Sequence, residues 1–343
     1  MNSTPTGPPP GPIAIMQMVS GFWVSKTLAS AVELGVFSRM SGKKVRAEEF
    51  APLFGLQPRP AEMLLSACTA LGLLERQDGH YQNSALAEEF LVKGKPYYFG
   101  GVVTMLDRRL YLPWNRLTEA LKNNRAQTWG EHEGIFEAIS ANPDEQRNFT
   151  ESMHSFSIQS GKALAEAFDF SAYKQLLDIG GGSGAYCIEA AGKFPNLRGA
   201  VYDLAPALEI ASEKIAAANL TDRVETRPGN FFEDDLPPGF DVHLLSMVLH
   251  DWTPEKNLSI LRKSFQALRA GGALIVSELM MDDDKSGPVP AALMSLNMLI
   301  ETEGRNYTWT EYTEWMKQTG FENIQRVPIF SPGANGLLIG SKA

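Results

Sequence analysis

Residues Leu176-Leu-Asp-Ile-Gly-Gly-Gly-Ser-Gly-Ala-Tyr186 decide the fold. The run from Leu176 to Ile179 is short, mostly apolar and bounded by glycine, so it reads as a buried parallel strand. Gly180 to Gly184 form the turn into a helix that starts near Ala185. Glycine takes positive φ without penalty and, lacking Cβ, lets a ligand come close to the backbone. The helix behind it presents unpaired N–H groups. The turn fits the dinucleotide pattern G-x-G-x-x-G only loosely, because the third glycine falls on Ala185 or Cys187 depending on the frame. Alone, it also reads as a tight strand-to-helix turn with no ligand.

Downstream, Gly199-Ala-Val-Tyr-Asp203 reads as a second strand ending in an acid. It lies about twenty residues past the glycines, where a carboxylate meets ribose hydroxyls in nucleotide-binding sheets. Arg223 to Phe232 supplies a third strand and turn, and Asp241 to Trp252 a fourth strand that delivers His250, Asp251 and Trp252 at its carboxyl end. From Leu176 to Lys342 strands and helices alternate, which predicts an α/β fold with a doubly wound, mainly parallel sheet.

The chain has 343 residues, 44% of them hydrophobic, enough for two cores. A net charge of −9 disfavours a nucleic-acid partner. Cys68 and Cys187 lie in apolar helical stretches without metal-ligand spacing, and read as core thiols of a reducing cytosol. No basic segment leads into a long apolar run, so neither an export signal nor a membrane partner is expected, and the protein is placed in the cytoplasm. Residues 1–12, rich in Pro and Gly, read as a disordered tail.

Residues 13–142 read as a helical domain. Ile13 to Phe37 is helical and apolar over much of its circumference, the mark of a helix that packs on a partner or deep in a core. Arg46 to Leu56 and Pro60 to Leu74 read as two helices, and Leu73-Leu-Glu-Arg with Gly79-His-Tyr-Gln as a hairpin. That is a winged-helix outline, which raises a DNA-binding regulator as a rival. Its would-be recognition helix, Ala61 to Leu71, offers no Lys or Arg to phosphates or guanine edges. Aromatic residues between Tyr97 and Phe136 suit either a core or an acceptor pocket. Asn142-Pro143 marks the break before a second domain, 143–343, in which a helix from Asp144 to about Ser160 leads to a connecting helix and the sheet.

The ordered set Asp178-Ile-Gly-Gly-Gly-Ser-Gly184, Tyr202-Asp203, Gly229-Asn-Phe-Phe232, His250-Asp-Trp252, Gly271-Gly272 and Gly304-Arg-Asn-Tyr-Thr308 resembles the class I S-adenosylmethionine (SAM)-dependent small-molecule O-methyltransferases. The likeness covers nearly the whole chain. It implies a Rossmann-like catalytic domain closed by an antiparallel pair, Ile324 to Phe330 and Gly336 to Gly340, and a homodimer interlocked through the N-terminal helices. It implies SAM as cofactor, S-adenosylhomocysteine as product, and an aromatic small-molecule acceptor of specialised metabolism.

For the cofactor, the resemblance assigns Ser157, Gly180, Gly182, Asp203, Gly229, Asn230, Phe231 and Ser246. Asn230 stands where an aspartate is commoner, and its side-chain carbonyl can still accept from adenine. Phe231 reads equally as a core ring, Ser246 as a plain strand-end residue. For the acceptor the resemblance points to Met153, Met294, Asn297 and Met298, although Asn297 also suits simple helix packing.

For the chemistry, a phenol with a pKa near 10 needs a base, and the near-neutral pKa of histidine suits His250. Glu278 would orient that ring; its bland alternative is a strand-end carboxylate facing water. Asp251 either assists or caps the helix near Thr253-Pro254. Asn306 falls where many plant relatives carry a second orienting glutamate, so it orients by hydrogen bonding without charge. No metal is expected. A C-methylating or non-methylating relative stays open as an alternative.

Overall fold

Described over residues 11–343 by a computed structural model, the chain divides into two compact units, Met1–Asp107 and Arg108–Ala343. That division falls earlier than the break read at Asn142-Pro143, and residues 1–10 of the expected tail lie outside the description.

The first unit starts with the helices Ile13–Val19 and Gly21–Glu33. Ile13, Ile15, Met16, Met18, Val19, Phe22, Trp23 and Val24 are each at least half exposed, a continuous apolar surface at the amino end of the described chain. Behind it stands a winged helix. The helices Ala47–Phe54 and Pro58–Ala70 pack with a sheet of β1 (Val45–Arg46), β2 (Leu74–Gln77) and β3 (His80–Asn83) in the order β1-β3-β2. Phe37, Phe50, Leu65 and Leu74 fill its core. The second of these helices begins at Pro58, earlier than read from sequence, and so takes in Arg59. Two-residue β1 shows no periodicity to read.

In the second unit the short helices Tyr111–Trp114, Leu117–Asn123 and Ile135–Ser140 lead to a long helix, Pro143–Ala167, whose start is fixed twice. The Asn142 carboxamide accepts from the Asp144 and Glu145 amides, and proline fills the first helical position, where no N–H partner is needed. The sheet follows: β4 (Gln175–Ile179), β5 (Arg198–Asp203), β6 (Val224–Pro228), β7 (Val242–Ser246), β8 (Ala273–Glu278), β9 (Glu322–Pro328) and β10 (Gly336–Ser341), in the order β6-β5-β4-β7-β8-β10-β9. β10 pairs antiparallel with both β8 and β9, and the remaining pairings of this sheet are parallel. Side chains alternate across β4: Leu177 and Ile179 enter one apolar layer, Leu176 the opposite one. Full burial of each such side chain contributes about 1.5–3 kcal/mol. Every residue of β7 and β8 is buried, which is why these strands read as unbroken runs.

Strand order reverses at β4, which has β5 on one side and β7 on the other. In open α/β sheets the crevice at such a reversal, beyond the carboxyl ends of the strands, receives the ligand.

Candidate active site

The glycine turn stands on that crevice. Gly180, Gly182 and Gly184 all have positive φ, and Gly184 leads into the helix Ala185–Lys193. A Cβ on Gly181 would lie 2.7 Å from Asp178 Cγ, whereas one on Gly182 would meet nothing within 4 Å. The turn is thus tight beneath and open above. Asp203, at the end of β5, accepts the Gly182 amide on Oδ2 (2.7 Å) and the Leu204 amide on Oδ1 (2.6 Å). Burial raises its pKa against those two bonds. Each oxygen keeps a second lone pair for a ligand hydroxyl. Below it, Asp178 is 1% exposed and its Oδ2 has no partner. Burial, then the nearby charge of Asp203, push this carboxyl up to about 8.

From β6 the Gly229–Phe232 turn reaches the glycines, with Phe231 Cε1 3.7 Å from where a Gly180 Cβ would stand. Lys263 pins this turn by donating to the Phe231, Phe232 and Asp234 carbonyls. Phe231 and Phe232 meet edge to face, and Trp252 packs on Phe232 at 4.7 Å. The Asn230 carbonyl accepts the Phe232 amide (3.0 Å), so in this state it serves its own turn. On the long helix, His154 contacts Ser183 of the glycine turn at 2.9 Å. Burial lowers its pKa to about 4, so the ring is neutral at physiological pH. Ser157 lies one turn further along the same face. Ser246, at the end of β7, is buried with an unpartnered hydroxyl. Open space over Gly182, spare lone pairs on Asp203 and the orphaned Ser246 hydroxyl fit the ribose and head group of the SAM expected from sequence.

Beyond β7 the backbone passes Met247, whose φ of 53° is strained for a residue with a side chain, into a short turn, Leu249–Asp251. Glu278 holds that turn. Its Oε1 accepts the Val248 and Leu249 amides (3.1 and 3.0 Å), and its Oε2 lies 2.5 Å from His250 Nδ1. It is fully buried, so the water-facing alternative is excluded. Burial favours a neutral His250 ring, but Glu278 and Asp251 outweigh it and lift the pKa to about 9. Asp251 Oδ1 is 3.6 Å from Nε2, and burial raises its own pKa to about 7. The helix Pro254–Ala267 is capped by Thr253, not by Asp251.

Other holders of the turn escaped the sequence reading. Asn257 donates to the Leu249 carbonyl at 2.8 Å and Tyr307 to that of Trp252 at 2.6 Å. Gly304 lies so close that any Cβ would collide with the His250 carbonyl and the Trp252 amide. Its place between Glu303 and Arg305 gave a signal only as part of the Gly304–Thr308 motif. Asn306 is buried; its side-chain Nδ2 donates to the Leu279 carbonyl (2.6 Å), its backbone amide donates to the Ser295 hydroxyl (3.1 Å), and its Oδ1 meets no partner among the described residues. On the helix Val289–Glu301, Met298 is buried, and Met294 packs near Leu279 and Met281. Asn297 accepts from Trp114 and donates to Glu301, both at 2.9 Å. Met153, on the long helix, is partly buried. His243, the other histidine of this stretch, is a packing residue, fully buried against Ser264, and burial lowers its pKa to about 3. Among the described residues no group of three or more His, Cys, Asp or Glu side chains is arranged to hold a metal.

Comparison with known proteins identifies the family. The model of the O-methyltransferase domain matches residues 114–322, and that of the O-methyltransferase dimerisation domain residues 16–93. The chain is 44% identical to the 3-hydroxy-5-methyl-1-naphthoate 3-O-methyltransferase of Streptomyces sahachiroi over 98% of both chains. It is 30% identical to the L-tyrosine C(3)-methyltransferase of Streptomyces lavendulae, covering 100% of this chain and 98% of that one. Human N-acetylserotonin methyltransferase in complex with SAM superposes with a TM-score of 0.89 at 28% identity, over 99% of this chain and 100% of that one. The chain therefore belongs to the SAM-dependent O-methyltransferases, with a dimerisation domain ahead of the catalytic one.

Proposed function

We propose that the enzyme methylates a phenolic hydroxyl on a fused or substituted aromatic ring, with His250 as general base. The observation that carries this reading is the 2.5 Å contact of His250 Nδ1 with buried Glu278, at the strand ends beside the glycine turn. With Nδ1 donating to Glu278, Nε2 is the nitrogen left to accept the phenol proton. A base lifted to about 9 is close to a phenol near 10, so the transfer is nearly balanced. Glu278 then stabilises the imidazolium that results. SAM supplies an electrophilic methyl group on a sulfonium. Asp203, Gly180, Gly182, Ser246 and Ser157 hold its ribose and head group, and Gly229 to Phe231 flank its adenine.

Met153, Met294 and Met298 wall the acceptor, supported by the hydroxynaphthoate named for the Streptomyces sahachiroi relative. The exposed apolar surface of the first two helices is buried in a homodimer, and the enzyme works in the cytoplasm. No helix among the described residues is long and apolar enough to cross a membrane. The test is incubation with methyl-labelled SAM and a panel of phenols and naphthols. Label on oxygen is expected. Label on ring carbon would favour the second reading, a carbon methyltransferase, which the tyrosine C(3)-methyltransferase relative keeps in view.

A further inference from the structure

Arg109 is a partly buried cation, its side chain 17% exposed, with most of its bonding capacity unused. It sits in a single π-helical turn, Leu106–Leu110, a distortion that recurs at functional sites. Of its five N–H groups, Nε donates to Glu301 Oε1 at 3.0 Å, and no other hydrogen bond is made among the described residues. Nη2 is closed off from water and meets no acceptor. The Phe149 ring lies 5.8 Å from the guanidinium carbon and backs it with an aromatic face.

Glu301, by contrast, is fully committed. Its second oxygen takes Asn297 Nδ2, Asn297 in turn takes the Trp114 indole N–H, and the Trp129 indole donates to the Glu301 carbonyl at 2.5 Å. This chain holds Arg109 rigidly by one N–H and leaves its Nη nitrogens free. The position adjoins the reacting end of the site. The helix Val289–Glu301 packs on the Leu249–Asp251 turn, and the charge of Glu301 is felt by both His250 and Asp251.

A buried donor without a partner carries a free-energy cost that native structures rarely leave standing without use. A planar fork of N–H groups is matched in shape and charge by a carboxylate. We propose that the Nη nitrogens of Arg109 receive a carboxylate borne on the ring of the acceptor, making an aromatic hydroxy acid the preferred substrate over a neutral phenol. This rests on the acceptor site described under the proposed function. Arg109 is a specificity-determining residue here, binding a group of the acceptor other than the hydroxyl that reacts.

The experiment compares kcat/KM for 3-hydroxy-1-naphthoate and for its methyl ester, which keeps ring and hydroxyl but removes the charge. Wild type is expected to favour the acid by about 10- to 100-fold, the range of one charge-assisted hydrogen bond. Arg109→Met should bring the ratio near unity, and Arg109→Lys should keep part of it. Because Arg109→Met strands Glu301, the pair Arg109→Met with Glu301→Gln reads the same ratio without a buried unpaired charge. Equal use of acid and ester by wild type overturns the proposal, as does a ratio unchanged in the variants. Methyl transfer to neither probe nor to any phenol would overturn the functional reading itself, which separates the two failures.

Discussion

Glu278→Gln isolates the chemistry from the scaffold. In the native site one carboxylate serves three donors: the Val248 and Leu249 amides on Oε1 and His250 Nδ1 on Oε2. A glutamine keeps the shape but has one accepting atom. If its carbonyl stays on the two backbone amides, its NH2 faces His250 Nδ1 and forces that nitrogen to accept. The ring proton then moves to Nε2, which can no longer take a proton from the acceptor. A wrong tautomer held in an intact site costs about 10²–10⁴ in kcat. Loss of the Glu278 charge also leaves only Asp251 and Glu301 to oppose burial, so the His250 pKa falls from its raised value. Stopped-time methyl-transfer assays at saturating SAM, with cofactor affinity by calorimetry, read the two effects separately. The expected result is the large loss in kcat with cofactor Kd changed by no more than about threefold, since the cofactor contacts lie elsewhere. A kcat within about threefold of wild type would refute the base assignment, as would equal losses in kcat and cofactor affinity.

Other outcomes follow from the same groups. In wild type the resting imidazolium must lose its proton before it can act, so kcat/KM for the acceptor should rise about tenfold per pH unit until pH nears 9. A profile flat from pH 6.5 to 9 would contradict the raised pKa. The His250–Glu278 pair stabilises the fold fully below pH 6.5 and loses that contribution as pH rises through about 9. Asp203→Ala removes the anchor of the Gly182 amide along with a ligand acceptor, and should weaken SAM binding about tenfold or more by calorimetry; unchanged affinity would remove Asp203 from the cofactor site. Asp178 has a folded pKa of about 8 against 3.8 for an ordinary Asp, so the stability linked to its proton is present below 3.8 and lost as pH rises through about 8. Asp178→Asn cannot ionise, and its Tm relative to wild type should climb across that window; a difference independent of pH would rule out a buried, protonated Asp178.

How far the sequence could be read depended on how local the cause was. The parallel strands were legible because burial on both faces demands apolar runs, as at Leu176–Ile179 and Ala273–Glu278. Glu278 was legible as the end of a strand, whereas the strand read as running to Trp252 stops at Ser246 and His250 stands beyond it, in the Leu249–Asp251 turn. What stayed hidden was decided by distant partners. Nothing near Gly304 in sequence announces that it lies against the His250 carbonyl. The inward turn of Asn230 depends on the position of the Phe232 amide, and the Arg109–Glu301 pair joins residues with no shared periodicity. The helix expected to end near Ser160 and the connecting helix expected after it are one element reaching Ala167, because Leu164 and Ala165 are buried and sustain it.

The close seat of Gly304 has an evolutionary corollary. It follows the Val289–Glu301 helix almost at once, yet it fits the histidine turn with no room for substitution. Together with Asn257 and Tyr307 it clamps the base independently of the side chains that face the acceptor. With the roles proposed above, exchange of residues along that helix other than Glu301 would retune which ring is accepted while the turn that carries His250 keeps its place. One scaffold can diversify across many aromatic products by this division of labour.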